Sequence, residues 1–195
     1  MHPALKLSFA ALVLVGGTVI ATAAALRAQD KEKEGQKTMD LAAPGAPHKE
    51  LMNHAGTWEQ AYKIRMSPDM PWMDAKGTSE AKPLLGGRFL LETVKYDMLG
   101  IPIEGVHILG YDNLKQEYTS LWADSMSTWF VSARGQAGPD GAIEMKGTMV
   151  DVAGERPFRM VLRPQGDDAM EIEMYDTIPP AGDTKVMTVS SKRRK

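Results

Sequence analysis

From Trp58 to Met66 the chain alternates in character: Trp58, Tyr62, Ile64 and Met66 fall on one face of an extended strand, and Glu59, Lys63 and Arg65 fall on the other. A period of two sustained this long is the pattern of a half-buried strand, with one face on a core and one on water. Comparable runs occupy Asp74 to Lys82, Arg88 to Tyr96, Gly105 to Tyr111, Glu117 to Asp124, Thr128 to Gly135, Ala142 to Val150, Pro157 to Arg163, Ala169 to Tyr175 and Lys185 to Lys192. The alternation therefore predicts about ten strands.

The segments between them carry turn chemistry: Leu85-Gly86-Gly87, Gly100-Ile101-Pro102, Asp112-Asn113, Gly138-Pro139-Asp140-Gly141, Gly166-Asp167-Asp168 and Pro179-Pro180-Ala181-Gly182. Gly, Pro, Asn and Asp supply the backbone angles that tight reversals need. Gaps this short pair consecutive strands as antiparallel hairpins. A long meander hides its edges by closing on itself, so the predicted architecture is all-β, an up-and-down antiparallel barrel.

Ahead of the strands the pattern changes twice. Leu7 to Leu26 is uncharged and follows Lys6, while Arg27 and Asp30 restore polarity. That order, basic then apolar then small, is the order of a secretory signal, with cleavage expected after Ala28 and Ala23 or Ala25 as alternative sites. An uncleaved membrane anchor over residues 7–26 is the competing expectation, because twenty uncharged residues are long enough to span a bilayer. Residues 29–47 are charged and then rich in Ala, Pro and Gly, which predicts a flexible linker. His48 to His54 reads as a short helix stopped by Gly56, and the barrel domain is expected over residues 48–195. The destination is periplasmic or secreted, with membrane contact only through the N-terminal segment if it is retained.

Composition narrows the chemistry. No cysteine occurs among the 195 residues, which removes disulfides, thiolate metal sites and lipidated N-terminal cysteine. Loss of residues 1–28 would leave 21 basic against 25 acidic residues, a net charge of −4. That balance disfavours nucleic acid as a partner.

Several motifs in order add a second line of argument. Gly56-Thr57-Trp58-Glu59, Lys76-Gly77-Thr78-Ser79-Glu80-Ala81-Lys82, Leu85-Gly86-Gly87-Arg88-Phe89-Leu90, Gly110-Tyr111-Asp112-Asn113 and Trp122-Ala123-Asp124-Ser125-Met126 together resemble the bacterial DUF1579 family, from about Lys49 to the C-terminus. The resemblance implies a barrel similar to the lipocalins and other calycins, whose GxW start is echoed by Gly56 and Trp58. It implies no established activity. Heme ligation of the calycin type needs a histidine late in the chain, and none follows His107; no cofactor is expected.

Strand parity nominates the candidate site. His107 shares a face with Leu109 and Tyr111, Glu92 with Leu90, Val94 and Tyr96, and Asp124 with Tyr118, Ser120 and Trp122. If those faces are interior, Trp58, Tyr62, Tyr111 and Trp122 form walls, and Glu92, His107 and Asp124 orient a small hydrophobic or amphipathic ligand. The alternative is a hydrolase- or isomerase-type enzyme using His107 with Asp124 or Glu92 as acid and base. Against nucleophilic catalysis, no GxSxG elbow is present, and adjacent Asp124 and Ser125 point to opposite faces. Met66, Met70 and Met73 are soft donors that suit Cu(I), although methionines in a Pro- and Trp-bearing loop pack or plug more often than they ligate. The basic tail Lys192-Arg193-Arg194-Lys195 reads as a solvated end.

Overall fold

The computed structural model describes residues 27–151 and 154–195. Two compact units divide the chain after Ala43. The proposed signal or anchor core, residues 7–26, lies outside the described residues.

In the first unit residues 27–42 are helical (α1), where composition predicts an irregular linker. Local support comes from the side-chain pair four residues apart in which Gln36 Nε2 donates to Asp40 Oδ1 at 2.8 Å. Residues 27–40 are all exposed, so α1 buries no apolar stripe. No helix among the described residues is long and apolar enough to cross a membrane.

The second unit begins with a seven-residue helix, α2 (Ala46–Met52), entered through Pro47 in its first turn. The Gly45 amide donates to His48 Nδ1 at 3.0 Å, which satisfies one of the orphan donors at a helix start. Ten strands follow: β1 (Gly56–Ile64), β2 (Met73–Leu84), β3 (Phe89–Met98), β4 (Ile101–Asp112), β5 (Glu117–Asp124), β6 (Val131–Ala137), β7 (Ile143–Asp151), β8 (Gly154–Pro164), β9 (Ala169–Ile178) and β10 (Gly182–Arg193). Each pairs antiparallel with its sequence neighbours, and β1 pairs with β10 to close the barrel. All ten predicted runs are strands, and the up-and-down barrel is the fold.

Alternation of burial along each strand fixes which side chains point inward. The two ends of the barrel then differ. At one end, the base, α2 packs on β3 and β4, and Leu51 joins a buried cluster with Leu90, Leu109, Tyr118, Met145 and Leu162. Arg193 fastens this end: its guanidinium donates to the carbonyls of Asn53, Ala55 and Asp167 at 2.7 to 3.0 Å and lies 4.4 Å over the Trp58 ring. It is thus not the solvated tail residue that its position in a basic run implies. The other end, the mouth, carries the turns after β1, β3, β5, β7 and β9. There Met66, Leu99, Met126, Trp129 and Phe130 stand exposed.

Candidate functional site

Midway between base and mouth, one sector of the interior is polar. Gln60 on β1, Ser79 on β2, Glu92 on β3, His107 on β4, Ser120 on β5 and Ser191 on β10 all point inward and all but Glu92 are fully buried. The register places Glu92 beside His107 and His107 beside Trp122, so neighbouring strands bring these groups into one layer. His107 Nε2 lies 2.8 Å from Ser120 Oγ, and its Nδ1 lies 3.6 Å from Glu92 Oε2. Gln60 Nε2 donates to Glu92 Oε1 at 3.2 Å and to Ser191 Oγ at 3.4 Å, and the Tyr62 hydroxyl donates to Gln60 Oε1. Buried polar groups that are mutually hydrogen-bonded in this way hold one another in place.

The electrostatics follow from that network. Burial alone would push the Glu92 carboxyl up, but the hydrogen bond and charge of His107, helped by Ser79 and Gln60, hold it below the usual value of 4.5. Glu92 is therefore ionised inside the barrel. Burial, the Glu92 charge and Tyr96 together push the Tyr62 phenol up, so it stays a neutral donor. Ser79 is close enough to favour the Glu92 charge, yet its buried Oγ has no partner in hydrogen-bonding geometry.

Above this layer, toward the mouth, cover is uneven: Ile64, Ile103 and Phe158 are buried, while a set of other large side chains is less covered. Tyr62 and Tyr96 stack with ring centroids 4.6 Å apart, and the Trp122 indole meets His107 edge-on at 5.9 Å. Gly105 makes room for that indole, because a Cβ there would lie 2.4 Å from its ring. Tyr96, Trp122, Val131, Met149, Ile172, Met174 and Met187 are half-buried although they face inward. At the lip, Arg156 binds Asp151 through two bonds of 2.8 Å and Asp176 through its Nε at 2.8 and 2.9 Å. These bonds hold the guanidinium pKa above its ordinary value.

Of the residues nominated from sequence, Tyr62, Glu92 and His107 meet in the polar layer, with Trp122 directly above. Asp124 sits higher: its carboxylate takes the Trp122 Nε1–H at 2.8 Å and the Met126 amide at 2.9 Å, anchoring the turn after β5, and it does not reach His107. Trp58 and Tyr111 belong to the base, Trp58 under Arg193 and Tyr111 edge-on to His48 and Tyr118. Met66 and Met70 stand exposed in the loop after β1, where Arg65 covers the Trp72 ring, and Met73 opens β2. No group of three or more His, Asp or Glu among the described residues is placed to hold a metal ion. Sequence reasoning did not single out Gln60, Ser79, Ser191 or Arg193; Gln60 was open to discovery, since it sits between Trp58 and Tyr62 on the face predicted to be inward. An open depression of about 740 Å³ runs along β1, β2 and β10 toward Asp97 and Leu99, and Tyr62 of the polar layer is among its lining residues.

Comparison with known proteins agrees with the architecture. The crystal structure of Rv2717c from M. tuberculosis superposes with a TM-score of 0.57 at 13% identity, covering 78% of this chain and 100% of that one. A de novo designed fluorescence-activating β-barrel is similar over 74% of this chain and 96% of that one, at 17% identity and a TM-score of 0.43. No curated protein matches the sequence. The family of proteins of unknown function DUF1579 matches residues 43–193, nearly the whole of the barrel unit, and the chain belongs to that family.

Proposed function

We propose that the protein is an exported carrier of a small amphipathic molecule, with the ligand's apolar body in the mouth half of the barrel and its polar end on the Glu92 layer. The observation that supports this most is the state of Glu92. It projects into the middle of the barrel, surrounded by β1, β2 and β4, yet 15% of its side-chain surface is reachable. Reachable surface at that depth borders internal space. Around that space lie aromatic, branched and thioether side chains with a few fixed polar groups, the usual composition of a small-molecule site. Exposed Leu99, Trp129 and Phe130 at the lip extend the apolar path outward. Export draws on the sequence pattern from Lys6 to Asp30 and on the lack of cysteine. Native mass spectrometry of the protein purified from the exported fraction of its own host is expected to show a bound mass that leaves on denaturation. Repeatedly clean apo spectra would reject the carrier.

One observation favours a second reading. Ser120, His107 and Glu92 stand in the order nucleophile, base and orienting carboxylate, the arrangement of an acyl-transfer enzyme. It ranks second because the backbone amides around Ser120 are committed to the β4 and β6 ladders, leaving no donor pair for an oxyanion. Covalent labelling of Ser120 by a fluorophosphonate, lost in His107→Ala, would move it to first place; no labelling at millimolar reagent would dismiss it.

A further inference from the structure

The carrier reading leaves the charge of the ligand open, and the interior has a definite sign. From the lip down to the polar layer the inward-facing ionisable groups are Glu92, Asp124, Asp151 and Asp176 on one side and Arg156 and His107 on the other, with Arg193 and His54 below the layer at the base. Asp151 and Asp176 both bind Arg156. The bonds that Asp124 accepts come from Trp122, Met126 and Ser127, all neutral donors. Glu92 faces His107 across 3.6 Å, takes a bond from the amide of Gln60 and lies near the Ser79 hydroxyl, both neutral groups. Carboxylates therefore outnumber cations along the path from lip to polar layer.

A second observation locates where a cation would stop. Ser79 is 3% exposed and points inward beside Glu92, near enough to favour its charge, yet no group completes a hydrogen bond to its Oγ in good geometry. An orphaned buried hydroxyl is costly. A group that donates to Glu92 and Ser79 together would satisfy it and add a charge-assisted bond. The rings of Tyr96 and Trp122 on the way in present faces that attract cations and suit apolar chains equally.

We propose that the ligand is an amine-headed amphiphile whose ammonium group binds between Glu92 and Ser79, with its apolar tail directed to the mouth. This rests on the carrier reading and adds the sign of the head group. The test is isothermal titration calorimetry of the purified protein with three probes of equal chain length, n-decylamine, n-decanol and n-decanoate. Decylamine is expected to bind about tenfold more tightly than decanol, with decanoate the weakest. Glu92→Gln is expected to bring the amine-to-alcohol affinity ratio to about one, and Ser79→Ala to lower it about threefold; circular dichroism establishes that each variant is folded.

Equal affinities for amine and alcohol, or tightest binding of decanoate, would overturn the cationic head and leave the carrier intact. If none of the three probes binds while native mass spectrometry shows a bound molecule, the cationic head likewise falls and the carrier stands. If no probe binds and the spectra are clean, both fall.

Discussion

The base and the mouth of this barrel are made of similar side chains, but burial is uniform only at the base; at the mouth Ile64, Ile103 and Phe158 are buried like the base residues while other inward side chains are not. At the base, Leu90, Leu109, Ile143, Met145 and Leu162 are buried beneath α2. Toward the mouth, Met149, Ile172, Met174 and Met187 point inward from the same strands or their neighbours and remain half-buried. A side chain taken fully out of water stabilises a fold by roughly 1.5–3 kcal/mol. Closure of the sheet, the base cluster and the cluster of Tyr62, Ile64, Val94 and Val189 can therefore hold the barrel while one sector toward the mouth stays partly unfilled. The division between base and mouth is the polar layer of Gln60, Glu92, His107 and Ser120.

The contrast is sharpest for two methionines. Met145 is 0% exposed, so Met145→Ala is expected to open a cavity and cost about 3 kcal/mol in urea denaturation. Met174→Ala removes the same atoms from a half-buried site and is expected to cost less than about 1 kcal/mol, while weakening binding of an apolar probe. Equal losses at both sites would mean that the mouth is packed like the base, and the proposed cavity would go with it.

The clasp at the base comes next in size. Arg193 ties the last strand to the segment between α2 and β1 and to the turn between β8 and β9, through three backbone carbonyls. Arg193→Ala is expected to cost about 2 kcal/mol, the worth of hydrogen bonds to a charged donor. Arg193→Lys should recover less than half, because one ammonium cannot reach three carbonyls held in a fork. Full recovery by lysine, measured as the denaturation midpoint, would show that charge alone matters here.

Much of this was legible in the sequence because barrels write themselves in a period of two. Parity alone puts Glu92 with Leu90 and Val94, and His107 with Leu109, on the inward face; short turns then make β3, β4 and β5 neighbours, so the Glu92–His107–Ser120 contacts follow once the register is known. Register was the missing quantity. Parity says that Trp58, Tyr111 and Asp124 face inward, but not at which height, and the structure sends the first two to the base and the third to the turn after β5. Arg193 was illegible for a different reason: its partners, Asn53, Ala55 and Asp167, are distant in sequence, and a basic run gives no sign of them. The helix over residues 27–42 escaped because it has no buried stripe, its side-chain support being the pair of Gln36 with Asp40.

The smallest expected effect concerns the polar layer itself, and it has a definite sign. Glu92 is held below its usual pKa of 4.5 in the folded barrel against the opposing effect of burial. A carboxyl with a depressed folded pKa stabilises the fold fully above its unfolded value, and the contribution is lost as pH falls through the folded value. Wild-type stability relative to Glu92→Gln should accordingly shrink as pH falls from about 4.5 toward 3. Urea denaturation of both proteins from pH 7 to pH 3 measures this difference directly, because carboxylates elsewhere, such as Glu173 with Lys185 on the outer wall, titrate in both and cancel. A gap that instead widened with acid would mean that burial outweighs His107, that Glu92 is neutral in the resting barrel, and that the polar layer lacks the fixed negative charge on which its preference for a cation depends.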